Sequence, residues 1–135
     1  MDFTEVLKPG LTAELSETVT AKNAASGLGS GGLPVYGTPS MILLMEMTSF
    51  AVVADFLPPG WSTVGTEVNI KHLAATPLGM KVRAHAELLS VDGRALSFKV
   101  EAFDETGRKI GEGTHSRFIV DNERFMAKTA TIKSA

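Results

Sequence analysis

The segment VYGTPSMILLMEMTSFAVV, residues 35–53, decides the fold. Thr38 followed by Pro39 reads as a helix start: the hydroxyl can accept an orphan N–H, and proline suits the first turn, where its missing donor is not needed. Pro58-Pro59-Gly60 cannot continue a helix, so the element is predicted to run to about Leu57. Met41, Leu44, Met45, Thr48 and Val52 take one side, while Ile42, Leu43, Met47, Phe50 and Val53 take much of the rest. A helix with apolar groups all round its axis must be enclosed by other structure. Glu46, Thr48, Ser49 and Asp55 interrupt the run well short of the ~20 apolar residues needed to cross a bilayer, so no membrane span is predicted.

Before the helix, Leu11 to Thr20 alternates loosely and reads as a first strand. Residues 23–34 are rich in glycine, which is costly in regular structure, and are expected to form a mobile loop or lid. They carry neither the lysine of a P-loop nor the strand-turn-helix setting of a dinucleotide fingerprint. Everything after Trp61 reads as strand. Thr66, Val68, Ile70 and His72 form one row; Met80, Val82, Ala84, Ala86 and Leu88 a second; Leu96, Phe98, Val100 and Ala102 a third. Asp92-Gly93 and Thr106-Gly107 supply tight turns, and Arg108 to Val120 closes the series.

The order is strand, glycine-rich loop, buried helix, then four strands in a meander. A curved antiparallel β-sheet wrapped around a long central α-helix satisfies it, an α+β hotdog fold in one domain spanning residues 1–135. A single such sheet leaves a helix flank and an edge strand uncovered, and a homodimer is the expected remedy.

Composition narrows the function. A net charge of -2, with 13 basic and 15 acidic side chains and no basic block, argues against nucleic acid. There is no cysteine, hence no disulfide framework and no thiolate nucleophile. With three histidines and no His-Glu-x-x-His pattern, a metal site is not indicated. The start, Met1 to Lys8, lacks the basic end and apolar core of a secretory signal, so a cytoplasmic protein is expected.

Glu46 sits about two turns into the predicted helix, where a wrapping sheet should exclude water. An unpaired buried carboxylate costs several kcal/mol, and no basic residue lies within four positions to pair with it locally. A functional role is therefore favoured over a structural one. By period-two alternation His72 points toward the helix, and a Glu–His pair at a dimer seam offers the proton acceptor and donor that acyl transfer requires. The helix start at Thr38 presents N–H donors to a developing oxyanion. Thr38 reads first as a helix cap, and His72 reads equally well as a core histidine bonded to a backbone carbonyl. His85 and His115 are expected to be exposed sheet residues. Lys71, Lys81, Arg83 and Lys99 read as a solvated face.

Gly37-Thr38, Leu44-Met45-Glu46, Val64-Gly65-Thr66, His72-Leu73-Ala74-Ala75-Thr76-Pro77, Ala86-Glu87-Leu88 and Gly113-Thr114-His115-Ser116-Arg117 resemble the fluoroacetyl-CoA thioesterase family of hotdog proteins. The resemblance covers the chain from about Val35 to Arg117. It implies a dimeric acyl-CoA thioesterase acting on a short or medium acyl-CoA, with Thr38, Glu46 and His72 as catalytic residues. Gly65 and Arg117 would hold the thioester and the catalytic groups. No cofactor is implied beyond the coenzyme A carried by the substrate. Glu46 would attack the thioester as nucleophile or activate water, and His72 would assist hydrolysis and protonate the leaving group. The lid departs from the family, which carries phenylalanines just before its catalytic threonine; here the segment holds Gly29, Gly32, Leu33 and Pro34. A different acyl group and broader tolerance are expected from that change. A non-catalytic acyl-thioester binding module is the alternative. A hotdog dehydratase or hydratase ranks below it, because those enzymes carry their acid and histidine near one another at a helix start.

Overall fold

The computed structural model describes residues 2–134. After a single 3₁₀ turn at Phe3–Glu5, the chain forms β1 (Thr12–Thr18), a short α1 (Ala25–Leu28), α2 (Thr38–Ala54), β2 (Trp61–His72), β3 (Lys81–Asp92), β4 (Ala95–Asp104), β5 (Lys109–Asp121) and α3 (Asn122–Ser134). The strands make one antiparallel sheet in the order β1-β3-β4-β5-β2, curved around α2. Alternation is clean on β3 and β4. Val82, Ala84, Ala86 and Leu88, with Leu96, Phe98, Val100 and Ala102, are all buried against Met41, Leu44, Met45, Val52 and Val53 of α2. Thr48 and Ser49, buried on the same helix face, return their hydroxyls to the carbonyls of Leu44 and Met45 at 2.6 and 2.9 Å, so neither is left unpaired.

Several expectations need correction. Helix α2 stops at Ala54 with Asp55 as C-cap, three residues short of Leu57. Its N-cap is Gly37 rather than Thr38. Gly37 lies close to Leu28, Ala25 and Asn23: an added Cβ would lie 2.7 Å from Leu28 Cδ1 and 3.2 Å from Ala25 N and Asn23 O, so a larger residue would displace the Leu28 side chain. With Gly37 as the cap, Thr38 is the first helical residue, and its hydroxyl is released from capping. Nor is α2 enclosed on all sides: Leu43, Met47 and Phe50 form an exposed row at i, i+4 and i+7.

The glycine-rich segment is closed on itself rather than irregular. It holds α1, ended by Gly29 at φ 77°, and is tied across its base by Ala25 N–H to Val35 O at 2.7 Å and Gly37 N–H to Asn23 O at 2.9 Å.

The four later strands are not a simple meander, because β2 pairs with β5 rather than β3 and becomes an edge. Edge position also spoils the predicted core row: Thr66 and Val68 are exposed. The register slips between Gly65 and Glu67, so Thr66 is an extra residue without a partner. The row facing α2 is Thr63 and Gly65 before the slip and Val68, Ile70 and His72 after it, paired in turn with Ile119, Arg117, His115, Gly113 and Gly111. Finally, α3 follows the last strand where no element was predicted. Its start is signalled by Asp121, whose carboxylate accepts the Arg124 N–H at 3.2 Å. Its apolar residues make no continuous stripe, which hides it from a periodicity reading.

Candidate active site

Two clusters carry the predicted residues. The first lies where β2 ends against the start of α2. Thr38 Oγ1 stands 2.7 Å from His72 Nδ1, and the hydroxyl can donate to or accept from that nitrogen. The other ring nitrogen, Nε2, is buried and has no hydrogen-bond partner among the described residues. Burial pulls the imidazole below its ordinary pKa of 6.5, opposed by a backbone contact at Ala74, so the neutral ring is favoured near pH 7. Tyr36, Thr38, His72 and Ala74 line an open cleft of ≈ 390 Å³ here.

The second cluster lies further along α2. Glu46 is half-exposed, its side chain 38% accessible, against the expectation of a dry site; the cause is the uncovered flank of α2. Its Oε2 stands 4.0 Å from Arg117 Nη1, a Coulombic pair rather than a hydrogen bond. Arg117 comes from β5 and is itself buried. Its Nε donates to Thr63 Oγ1 at 2.8 Å and its Nη2 to Thr63 O at 3.0 Å, and its guanidinium lies 5.7 Å from the Phe50 ring. Burial lowers the Arg117 pKa while Glu46 opposes the shift. Gly65 faces the same carboxylate, since a Cβ there would sit 3.2 Å from Glu46 Oε2 and 3.5 Å from Arg117 Nη1. Leu15, Leu43, Met47 and Phe50 complete a mostly apolar cleft of ≈ 440 Å³.

The fold thus brings Thr38 to His72, and Glu46 to Gly65 and Arg117. Within one chain it does not bring Glu46 to His72: the two line separate clefts. His115, expected on the surface, is fully buried. Its Nδ1 is 2.7 Å from Glu67 O and its Nε2 3.1 Å from Arg117 Nη1. Its signal was present in the sequence: His115 shares odd parity on β5 with Gly111, Gly113, Arg117 and Ile119, while Glu112, Thr114 and Ser116 take the outer face. Among the described residues no group of three or more His, Asp or Glu side chains is arranged to hold a metal, and no helix is long and apolar enough to cross a membrane.

Residues 18–123 match the family described as fluoroacetyl-CoA-specific thioesterase. The fluoroacetyl-CoA thioesterase of Streptantibioticus cattleyicolor is 44% identical over 94 residues, covering 70% of this chain and 67% of that protein. The solved structure of the fluoroacetyl-CoA thioesterase FlK superimposes with a TM-score of 0.85 at 34% identity, covering 93% of this chain and 96% of that one. A Thermus thermophilus protein described as a thioesterase superfamily member superimposes with a TM-score of 0.88 at 29% identity, covering 94% and 93%. A five-stranded antiparallel sheet curved around one long helix is the hotdog fold of these enzymes, and this chain belongs to the FlK family of hotdog acyl-CoA thioesterases.

Proposed function

We propose that this thioesterase hydrolyses a short acyl-CoA to the carboxylic acid and free coenzyme A, with Thr38, Glu46 and His72 as the reacting groups and Gly65 and Arg117 holding the acyl end. The observation that carries the reading is the Thr38–His72 hydrogen bond at the start of α2, which leaves a neutral imidazole with a buried, unpartnered Nε2. Such a nitrogen can take a proton from water or give one to a departing thiolate, depending on the tautomer.

The acid is supplied by a second copy of the chain. Glu46 shares its helix flank with the exposed Leu43, Met47 and Phe50, and β2 is an open edge. Two-fold pairing across β2 and this row removes the edge, covers the apolar residues and dries the Glu46 cleft. It also supports joining the Glu46–Arg117 cluster of one protomer to the Thr38–His72 cluster of its partner.

Two courses satisfy the balance of atoms. In one, the Glu46 carboxylate attacks the thioester carbonyl, the C–S bond breaks, the thiolate takes a proton, and water then hydrolyses the acyl-enzyme anhydride. In the other, Glu46 takes the proton of a water that attacks the thioester carbonyl, the C–S bond breaks, the thiolate takes a proton, and no anhydride forms. Single turnover in ¹⁸O-water tests the first course: label in the Glu46 carboxylate requires an anhydride opened at the Glu46 carbonyl, whereas general-base attack labels only the released acid.

Thiol release across a panel from acetyl- and fluoroacetyl-CoA to medium acyl chains tests the substrate class. The short, glycine-rich turn before Thr38 offers fewer apolar contacts than phenylalanines would, so turnover of several short acyl groups is expected rather than of fluoroacetyl-CoA alone. Glu46→Gln should lower turnover by about 100-fold or more. Unchanged turnover in the folded variant removes the reading.

A further inference from the structure

His115 belongs to neither proton-transfer cluster, yet every polar atom of its ring is used. A carbonyl oxygen has only lone pairs and a guanidinium only hydrogens. With Glu67 O 2.7 Å from Nδ1 and Arg117 Nη1 3.1 Å from Nε2, the hydrogen must sit on Nδ1 and the lone pair on Nε2. The ring is neutral and its tautomer fixed. It is wholly buried, stacked 6.4 Å from Phe98, and among the described residues the charged side chains that bear on it are Arg117 of its own strand and Glu46 of α2.

What the ring holds lies next to the acid on both sides. Glu67 is the residue at which β2 recovers its register after Gly65, so the Nδ1–H bond anchors the slip that leaves Gly65 bare against Glu46. Arg117 Nη1 is the guanidinium nitrogen nearest Glu46, and Thr63 already fixes Nε and Nη2. An acceptor at His115 Nε2 takes one Nη1 hydrogen and leaves the other for Glu46.

We propose that His115 is a positioning residue for hydrolysis: its neutral Nδ1–H ring fixes Arg117 and the β2 bulge, and through them the place of the Glu46 carboxylate. Protonation would set an N–H against the guanidinium, and burial pulls the ring pKa below 6.5 in keeping with a neutral ring. The inference rests on the proposed role of Glu46.

Two substitutions divide the ring's functions. His115→Asn can keep an N–H toward Glu67 O but offers no acceptor to Arg117, whereas His115→Gln can present an amide oxygen near the Nε2 position. The expected result is a kcat lowered about tenfold or more in His115→Asn with KM little changed, and a kcat within about threefold of the parent in His115→Gln. Parent-like kcat in folded His115→Asn overturns the proposal, as does a loss shared equally by both variants and tracking their melting temperatures. Should either variant fail to fold, ¹⁵N spectra of the unsubstituted protein decide: His115 in the neutral Nδ1–H tautomer at pH 7 supports the assignment, and an imidazolium or Nε2–H form at His115 at that pH rejects it. Failure of the Glu46 reading is separately visible, because Glu46→Gln would then retain turnover whatever His115 does.

Discussion

His72 and His115 are buried to different degrees but titrate in the same sense, both held below 6.5 mainly by burial. Between the folded and unfolded pKa values the unfolded chain binds more protons, so the free energy of unfolding rises with pH there. The corresponding stability is complete above 6.5 and is lost as pH falls through the folded values. Melting temperature should therefore decline from pH 7 toward pH 5, and the decline should be shallower in His115→Gln; parallel curves for the two proteins would contradict this. Activity should fall on the same acid limb, because an imidazolium at position 72 can no longer accept a proton. Tyr36 shows the opposite direction. Its phenol, buried and hydrogen-bonded to Glu17 at 2.5 Å, is pushed far above the ordinary value of 10, so it remains a neutral donor beside the Thr38 cleft.

Elements meet through glycines whose roles differ. On β5, Gly111 lies under α2 so closely that a Cβ would overlap Met41 Sδ, a fully buried atom group. On β2, Gly65 lies under Glu46, where a Cβ would sit at 3.2 Å from a half-exposed carboxylate. Gly111→Ala overpacks the core and should cost about 1–3 kcal/mol, nearer the lower end because methionine can adjust. Gly65→Ala also meets the buried His115 ring, at 3.3 Å, so its melting temperature should fall by no more than that of Gly111→Ala, while on the proposed role of Glu46 its kcat should fall as well. Thermal melts and steady-state rates on the two purified variants check the division, and an inactive but stable Gly111→Ala paired with an active but unstable Gly65→Ala would reverse it.

For the whole molecule, one chain carries two separate clefts, which the proposed dimer would join. If a working site unites Glu46 of one protomer with His72 of the other, Glu46→Gln mixed with His72→Ala should regain about a quarter of parent activity, because half the dimers are then mixed and each keeps one intact site. No recovery after subunit exchange would mean that both groups act from the same chain. The exposed row on α2 supplies a second check. Phe50→Glu places a charge in the apolar row and should shift the protein toward monomer in sedimentation and abolish turnover together. A stable dimer with full activity would exclude this flank from the interface.

The central helix, strands β3 and β4 and their turns were legible in the residue order, because each is set by neighbours a few positions away: Pro39 at the start, Pro58 and Pro59 beyond the end, alternation from Val82 to Leu88, and the turn glycines at 93 and 107. Glu46 stood out for the same reason, as an acid with no local cation. Only the tertiary structure decided what surrounds it. Sheet order put β5 beside β2, which delivered Arg117 and His115; the slip at Thr66 turned Gly65 toward the acid; and with Gly37 as cap and Thr38 inside the helix, the Thr38 hydroxyl meets His72. These are contacts between segments distant in the chain, fixed by which strand edges pair and how closely backbones pass, and no period or spacing within a single segment encodes them.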